Sequence, residues 1–131
     1  MDASEVKRST PDTNFIAKSP DEVISRTVAL DGVQGALLAL PDGLIVAHRL
    51  AANLNADALA AFVPQIFGKL SQSTKELGMG ELNSLNFRVG NVPWKIIRVN
   101  AIFLAAFGRE GKPLPTAELA ALAAELEHKP N

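Results

Sequence analysis

The chain has 131 residues and a mass of 13.9 kDa, the size of one compact domain. Its residues are 47% hydrophobic and 21% charged, which excludes a chain that is disordered throughout. Thirteen Lys and Arg against fourteen Asp and Glu give a net charge of -1, so we expect no nucleic-acid partner. The lack of cysteine excludes disulfides, thiolate metal sites and a cysteine nucleophile, and this composition disfavours an enzyme.

No segment of the chain resembles a targeting signal or a membrane anchor. Residues 1–8 mix acidic and basic side chains and lack the apolar stretch of a signal peptide. The longest apolar runs, 35–40 and 101–107, are far shorter than the roughly 20 residues of a membrane helix. We therefore expect a cytoplasmic protein without membrane insertion. Residues 1–18 are predicted to form a flexible arm, 19–128 a single domain and 129–131 a C-terminal tail.

The first predicted elements are a helix and a β-hairpin. Ser19 as the N-cap, Pro20 at the first helical position and Glu22 at the third predict a helix start, and Asp31-Gly32 predicts its stop. Residues 33–40 and 44–50 are apolar runs joined by Pro41-Asp42-Gly43, a strong signal for a tight turn. Because both runs are apolar at successive positions, we expect two central strands covered on both faces.

A longer helix is predicted from a cap at Asn53 or Asn55 to about Leu77, closed by Gly78. Pro64 lies inside it and predicts a kink, since proline removes one backbone hydrogen bond. A broad apolar stripe follows the helical period at Leu59, Phe62, Val63, Ile66, Phe67 and Leu70.

Three strands and a last helix complete the pattern. Leu85, Phe87 and Val89 alternate with polar residues, which predicts an edge strand with one wet face. Strands over 92–99 and 101–107 follow, and Pro115-Thr116 opens a helix with leucines on one face. The order α-β-β-α-β-β-β-α predicts an α+β domain: one five-stranded antiparallel sheet with helices on both faces.

Candidate catalytic groups lack the context that their chemistry needs. The glycines at 78 and 80 follow a helix rather than a strand, and neither Gly-Lys pair is followed by Ser or Thr, so no phosphate loop is predicted. His48 has no nucleophile-elbow serine anywhere in the chain to activate. Arg109, in a glycine-rich loop, is interpreted as a solvated charge, with an arginine finger as the alternative. We predict no catalytic residues, cofactor or metal.

Two features favour a protein interface. The helical stripe is wide: either the kink at Pro64 turns Phe62, Ile66 and Phe67 toward the sheet, or part of the stripe is buried against a second copy, which is the interpretation we favour. The edge strand is a template for pairing. The predicted interface residues are Leu59, Phe62, Val63, Ile66, Phe67, Leu70, Leu85, Phe87 and Val89. Trp94 is interpreted as core packing, with an interface anchor as the alternative.

The segment DGVQGALLALPDGLIVA, residues 31–47, resembles the recurrent "GV.GA.L...DGL.VA" stretch of the roadblock domain family. The similarity continues through the alanine-rich start of the second helix, its end at Leu77-Gly78 and the last strand closing at Phe107-Gly108. It covers about residues 20–128, and the order and spacing of apolar runs and turns carry it. The sequence departs from the family pattern at Pro64.

The resemblance implies a profilin-like fold and a protein-interaction module without enzymatic activity. Family members include roadblock-type dynein light chains and bacterial regulators of small Ras-like GTPases. Similar members form homodimers in which the second helices pack together and the third strands join the two sheets. It thus implies two partners, a second copy and a Ras-like GTPase that the domain regulates or scaffolds. The alternatives are a dynein-light-chain-like adaptor, a catalytic GTPase activator that uses Arg109, and a small-molecule sensor of similar shape.

Overall fold

A computed structural model describes residues 19–127 of the chain. The predicted arm (1–18) and the C-terminal residues 128–131 lie outside the described residues. The predicted element order is confirmed within that range. The elements are α1 (Pro20–Val28), β1 (Val33–Ala39), β2 (Ile45–Arg49), α2 (Ala56–Glu76), β3 (Ser84–Val89), β4 (Val92–Val99), β5 (Ile102–Gly108) and α3 (Thr116–Glu127).

The five strands form one antiparallel sheet in the order β2-β1-β5-β4-β3. Short hairpins join β1 to β2, β3 to β4 and β4 to β5, and β1 pairs with β5 in the middle of the sheet. The prediction of two central strands is right for β1, which is buried along almost its whole length. It is wrong for β2, an edge strand on which only Ala47 is buried, because β1 gains its second neighbour from the distant β5.

The helix caps follow from the sequence. The Ser19 hydroxyl accepts a hydrogen bond from the Glu22 N–H at 3.2 Å, and the Asn55 side chain accepts one from the Ala58 N–H at 3.1 Å. α1 ends at Val28, one turn before the predicted stop at Asp31-Gly32. α2 continues in α-helical conformation past Pro64 to Glu76, and Gly78 closes it at φ 75°.

Helices cover both faces of the sheet, as predicted. α1 and α3 lie together on one face, where the buried core comprises Ile24, Val33, Ala36, Leu38, Ala47, Val99, Leu104, Ala106, Leu119 and Ala123. α2 lies alone on the other face, where the core comprises Leu37, Ala39, Ala60, Val63, Phe67, Ile96, Phe103 and Ala105. Successive residues of β1 and β5 alternate between these two cores, as the pleat of a strand requires.

A close approach at Gly35 fixes how β5 packs beside β1. Gly35 pairs with Phe107, and the register shifts between Val33 and Gly35. A Cβ atom at Gly35 would lie 2.5 Å from the Phe107 Cζ and 3.2 Å from the Arg49 carbonyl oxygen. The Phe107 ring therefore occupies the space that any other residue at this position would fill.

Gly35→Ala should lower the free energy of unfolding by about 1–3 kcal/mol, because the new methyl group overpacks the buried ring. Gly68→Ala is the matched control: Gly68 lies inside α2 with no atom within 4 Å of the added Cβ. It should raise stability by up to about 1 kcal/mol through helix propensity. Urea unfolding of both variants measures the difference, and equal stability of Gly35→Ala and wild type would contradict the packing at Phe107.

Candidate protein interface

β3 is an edge of the sheet with one side unpaired. It pairs only with β4, in a register that sets Leu85 opposite Ile96 and Phe87 opposite Trp94. The predicted alternation is present: Leu85 and Phe87 are half-buried, whereas Asn86 and Arg88 are exposed. The outer backbone N–H and C=O groups of this strand have no partner strand among residues 19–127, which makes β3 a template for strand addition.

α2 covers only part of its sheet face. It packs chiefly on β1, β2 and β5. Phe67 is 1% exposed, and its ring meets that of Phe103 edge-on with centroids 5.1 Å apart. On β3 and β4, by contrast, Leu85, Phe87 and Trp94 stay only half-buried. The same face of β3 and β4 is therefore left incompletely covered.

The side of α2 that is turned away from the β1–β2 turn is apolar. Ala61 marks the opposite side, because a Cβ atom on Gly43 in the β1–β2 turn would lie 3.3 Å from its Cα. The side turned away from that turn carries an apolar stripe at helical spacing, which consists of Leu59, Phe62, Ile66 and Leu70. Phe62 is 40% exposed and Leu70 38% exposed. We call this stripe, together with the half-buried Leu85, Phe87 and Trp94 of the neighbouring strands, the apolar groove.

An aromatic row forms the floor of the groove at one end of the sheet. Phe87, Trp94 and Phe107 stand side by side across β3, β4 and β5. The Phe87 and Trp94 rings are stacked with centroids 6.0 Å apart, and those of Trp94 and Phe107 are 4.7 Å apart. Phe107 is buried, whereas Phe87 and Trp94 stay half-buried. Trp94 thus belongs to the sheet packing and to the groove at the same time.

The structure brings seven of the nine predicted interface residues to this groove or to its edge strand. Leu59, Phe62, Ile66 and Leu70 line the helical wall, and Leu85, Phe87 and Val89 lie on β3. The prediction needs correction for Val63 and Phe67, because both side chains are fully buried against the sheet of the same chain. The sequence pattern did not separate these two sets, because the core-facing positions and the stripe are neighbours on the helix surface.

Two apolar residues beside the groove were not predicted. Leu77 and Met79 are 73% and 74% exposed, the highest values for large hydrophobic side chains among residues 19–127. They follow the C-terminal end of α2, where Gly78 and Gly80 both adopt positive φ. Leu77 lies seven residues after Leu70 and continues the stripe, a signal that the sequence already contained.

An ionic clamp holds the C-terminal end of α2 against the sheet. The Glu81 carboxylate accepts a hydrogen bond from the Arg98 guanidinium at 2.9 Å and lies 3.8 Å from the Lys75 ammonium. The hydrogen bond and charge of Arg98, followed by the charge of Lys75, hold the pKa of Glu81 below its ordinary value of 4.5. The clamp thereby links α2, the loop that follows it and β4.

The residues with potential chemistry lie away from the groove. Arg109 is an exposed loop residue whose Nε donates to the Gln34 side chain at 3.0 Å. His48 is exposed on β2. Over residues 19–127, no group of three or more His, Asp or Glu side chains is placed to hold a metal ion. None of the helices in this range has the length and hydropathy to cross a membrane.

The sequence model of the Roadblock/LC7 domain matches residues 20–106, nearly the whole of the sheet and its first two helices. The chain belongs to the Roadblock/LC7 domain family. The resemblance inferred from residues 31–47 is confirmed, and so is the roadblock fold.

Solved structures share this fold at low sequence identity. MglB of Myxococcus xanthus matches with a TM-score of 0.75 at 14% identity, over 82% of this chain and 90% of that chain. A Roadblock/LC7 domain from Streptomyces avermitilis matches with a TM-score of 0.70 at 18% identity, over 84% and 92%. Schizosaccharomyces pombe profilin matches with a TM-score of 0.58 at 15% identity, over 83% and 94%, in agreement with a profilin-like architecture.

Curated relatives extend the similarity to archaea. An uncharacterised protein of Methanocaldococcus jannaschii is 31% identical over 62 residues, which is 47% of this chain and 52% of that protein. A second protein of the same organism is 29% identical over 62 residues, which is 47% of this chain and 54% of that protein. The chain spans about half the length of the curated relatives it matches.

The ionic clamp of this Roadblock/LC7 domain gives a pH prediction. A lowered folded-state pKa means that the stabilisation by Glu81 is complete above the ordinary carboxyl pKa of 4.5 and is lost as pH falls through the lowered value. Glu81→Gln should therefore show a shallower loss of stability below about pH 4.5 than wild type. Thermal unfolding across that pH range tests this, and parallel curves for the two proteins would show that the clamp does not stabilise the fold.

Proposed function

We propose that this Roadblock/LC7 domain is a homodimeric protein-interaction module without catalytic activity, which binds and regulates a small Ras-like GTPase. The observation that carries the proposal is the apolar groove between α2 and the edge strand β3. Its helical wall and its floor both keep large side chains partly in water, including Phe62, Leu70 and Trp94. A surface of this kind marks a site for another protein.

A second copy fits the groove by symmetry. If β3 pairs with β3 of another copy in antiparallel fashion, the two sheets become one and both unpaired edges are satisfied. A two-fold axis perpendicular to the sheet keeps both α2 helices on the same face. Residues directly opposite across a strand pair share a face, so Leu85, Phe87 and Val89 of one copy would meet the same set of the other.

The same arrangement buries the helical wall. Each copy contributes the stripe on α2 and half of the floor, so that both grooves close at once. Removal of a large apolar side chain from water contributes about 1.5–3 kcal/mol, and several such side chains stay exposed in the single chain. The resemblance to family members that dimerise through their second helices and third strands supports this arrangement.

The proposal of a GTPase partner rests on the family to which the chain belongs. Membership in the Roadblock/LC7 domain family and the MglB-like fold support a regulator of the roadblock type, and bacterial regulators of Ras-like GTPases belong to the family that the sequence resembles. A solved MglB of the same fold has a tetrameric arrangement, which supports assembly of several copies. A binding module regulates its partner by preferring one nucleotide state, since a ligand shifts an equilibrium only through differential affinity.

Light scattering should give twice the chain mass of 13.9 kDa at micromolar concentration. Phe62→Glu should return the protein to the monomer mass, because a charge in the desolvated groove costs several kcal/mol. Phe62 is exposed in the single chain, so the variant keeps its fold, which circular dichroism verifies. The same substitution at the buried Phe67 would test the fold instead.

Leu44→Glu is the matched control for this experiment. Leu44 is 62% exposed and precedes β2 at the opposite side of the sheet, so the variant should stay dimeric. A wild-type mass of one chain, or a Phe62→Glu variant that dimerises as wild type does, would contradict the proposed dimer.

Substitution of Arg109 distinguishes a regulator that acts by binding from one that acts by catalysis. GTP turnover by the cognate GTPase should change less than about tenfold on Arg109→Ala, which corresponds to about 1.4 kcal/mol. An arginine finger raises the rate of GTP hydrolysis about a thousandfold or more. A loss of turnover of that size, with binding intact, would contradict the non-catalytic role. Lys112→Ala, in the same exposed loop, controls for a general effect of lost positive charge.

A further inference from the structure

Leu77 and Met79 form an apolar knob at the C-terminal end of α2. Both side chains are about three-quarters exposed, although the backbone around them is held firmly. The Met79 N–H donates to the Thr74 carbonyl at 2.8 Å, the Leu77 N–H to the Ser73 carbonyl at 3.0 Å and the Gly78 N–H to the Lys75 carbonyl at 3.0 Å. The backbone of the knob is thus ordered, so docking on a partner costs only the freedom of the two side chains.

The contacts of Glu81 show where the knob lies relative to the sheet. Glu81, two residues after Met79, is hydrogen-bonded to Arg98, which pairs with Phe103. The knob therefore lies near the end of β4 that carries Arg98. Trp94 and the aromatic row lie four residues away along β4, about 13 Å at the rise of a strand. Within one chain, the knob and the aromatic row occupy opposite ends of the groove.

We infer that the apolar knob of each copy docks on the aromatic row of the other copy, against the half-buried rings of Phe87 and Trp94. This inference rests on the proposed dimer. Antiparallel pairing of β3 with its counterpart reverses the strand direction, so the end that carries the knob in one copy lies beside the end that carries the aromatic row in the other. The two-fold axis keeps both features on the same face of the joined sheet.

The chemistry of the two surfaces is complementary. A methionine thioether makes favourable contacts with aromatic rings, and a leucine covers ring area that is otherwise in water. The knob supplies the two most exposed large apolar side chains of the described residues, and the row supplies the stacked, half-buried rings of Phe87 and Trp94. The two-fold axis gives each dimer two such contacts, so a substitution in the knob removes both of them.

Trp94 is the single tryptophan of the chain, so its fluorescence reports directly on the aromatic row. On going from nanomolar to micromolar wild-type protein, the emission should shift to the blue and acrylamide quenching should fall as the knob covers the ring. Leu77→Ser combined with Met79→Ser should abolish this shift and raise the dimer dissociation constant at least tenfold, measured by analytical ultracentrifugation.

Leu44→Ser is the matched control, since it removes an exposed leucine beside the opposite edge strand, β2. It should leave both the emission shift of Trp94 and the dimer dissociation constant unchanged. A dimer in which Trp94 stays as accessible as in the monomer would overturn the docking while the proposed dimer stands. A double variant that dimerises as tightly as wild type would overturn it as well. A wild-type protein that stays monomeric up to millimolar concentration would overturn the docking together with the proposed dimer.

Discussion

The packing of one helix on one face of a five-stranded sheet is the constraint from which the other features follow. On the opposite face, α1 and α3 together cover the sheet and close a core around Leu38 and Leu104. α2 is alone, and its buried side chains secure it over β1, β2 and β5. On the same face of β3 and β4, Phe87 and Trp94 stay half-buried, so this chain leaves that part of the face incompletely covered.

The incompletely covered face carries aliphatic and aromatic side chains, among them Phe62, Leu70 and Trp94. The groove joins the stripe on α2, the aromatic row and the unpaired edge of β3 into one continuous area. The polar groups near it, Glu81, Arg98 and Lys75, pair with one another and position the end of α2. The depressions with polar lining lie elsewhere, such as one of about 350 Å³ between Asp31 and the loop that carries Arg109.

Local sequence signals were sufficient for the elements and their caps. The Ser19 and Asn55 caps, the Pro41-Asp42-Gly43 turn and the alternation in β3 depend on interactions within a few residues, so they can be read from the chain directly. The position of β2 could not be read in this way. Its apolar run is typical of a central strand, but β1 pairs with β5, which is more than sixty residues away, and β2 is left at the edge.

The sequence by itself determined the element order, the α+β class and the presence of one helix with more apolar surface than a single sheet needs. Only the tertiary structure decided which of those apolar residues remain outside. Val63 and Phe62 are neighbours in sequence, yet the first is buried and the second is 40% exposed, because the rotation of α2 on the sheet is set by Phe67 against Phe103 and by the contact of Gly43 with Ala61. Helical periodicity defines a stripe, whereas contacts between distant segments choose the side of it that faces the core.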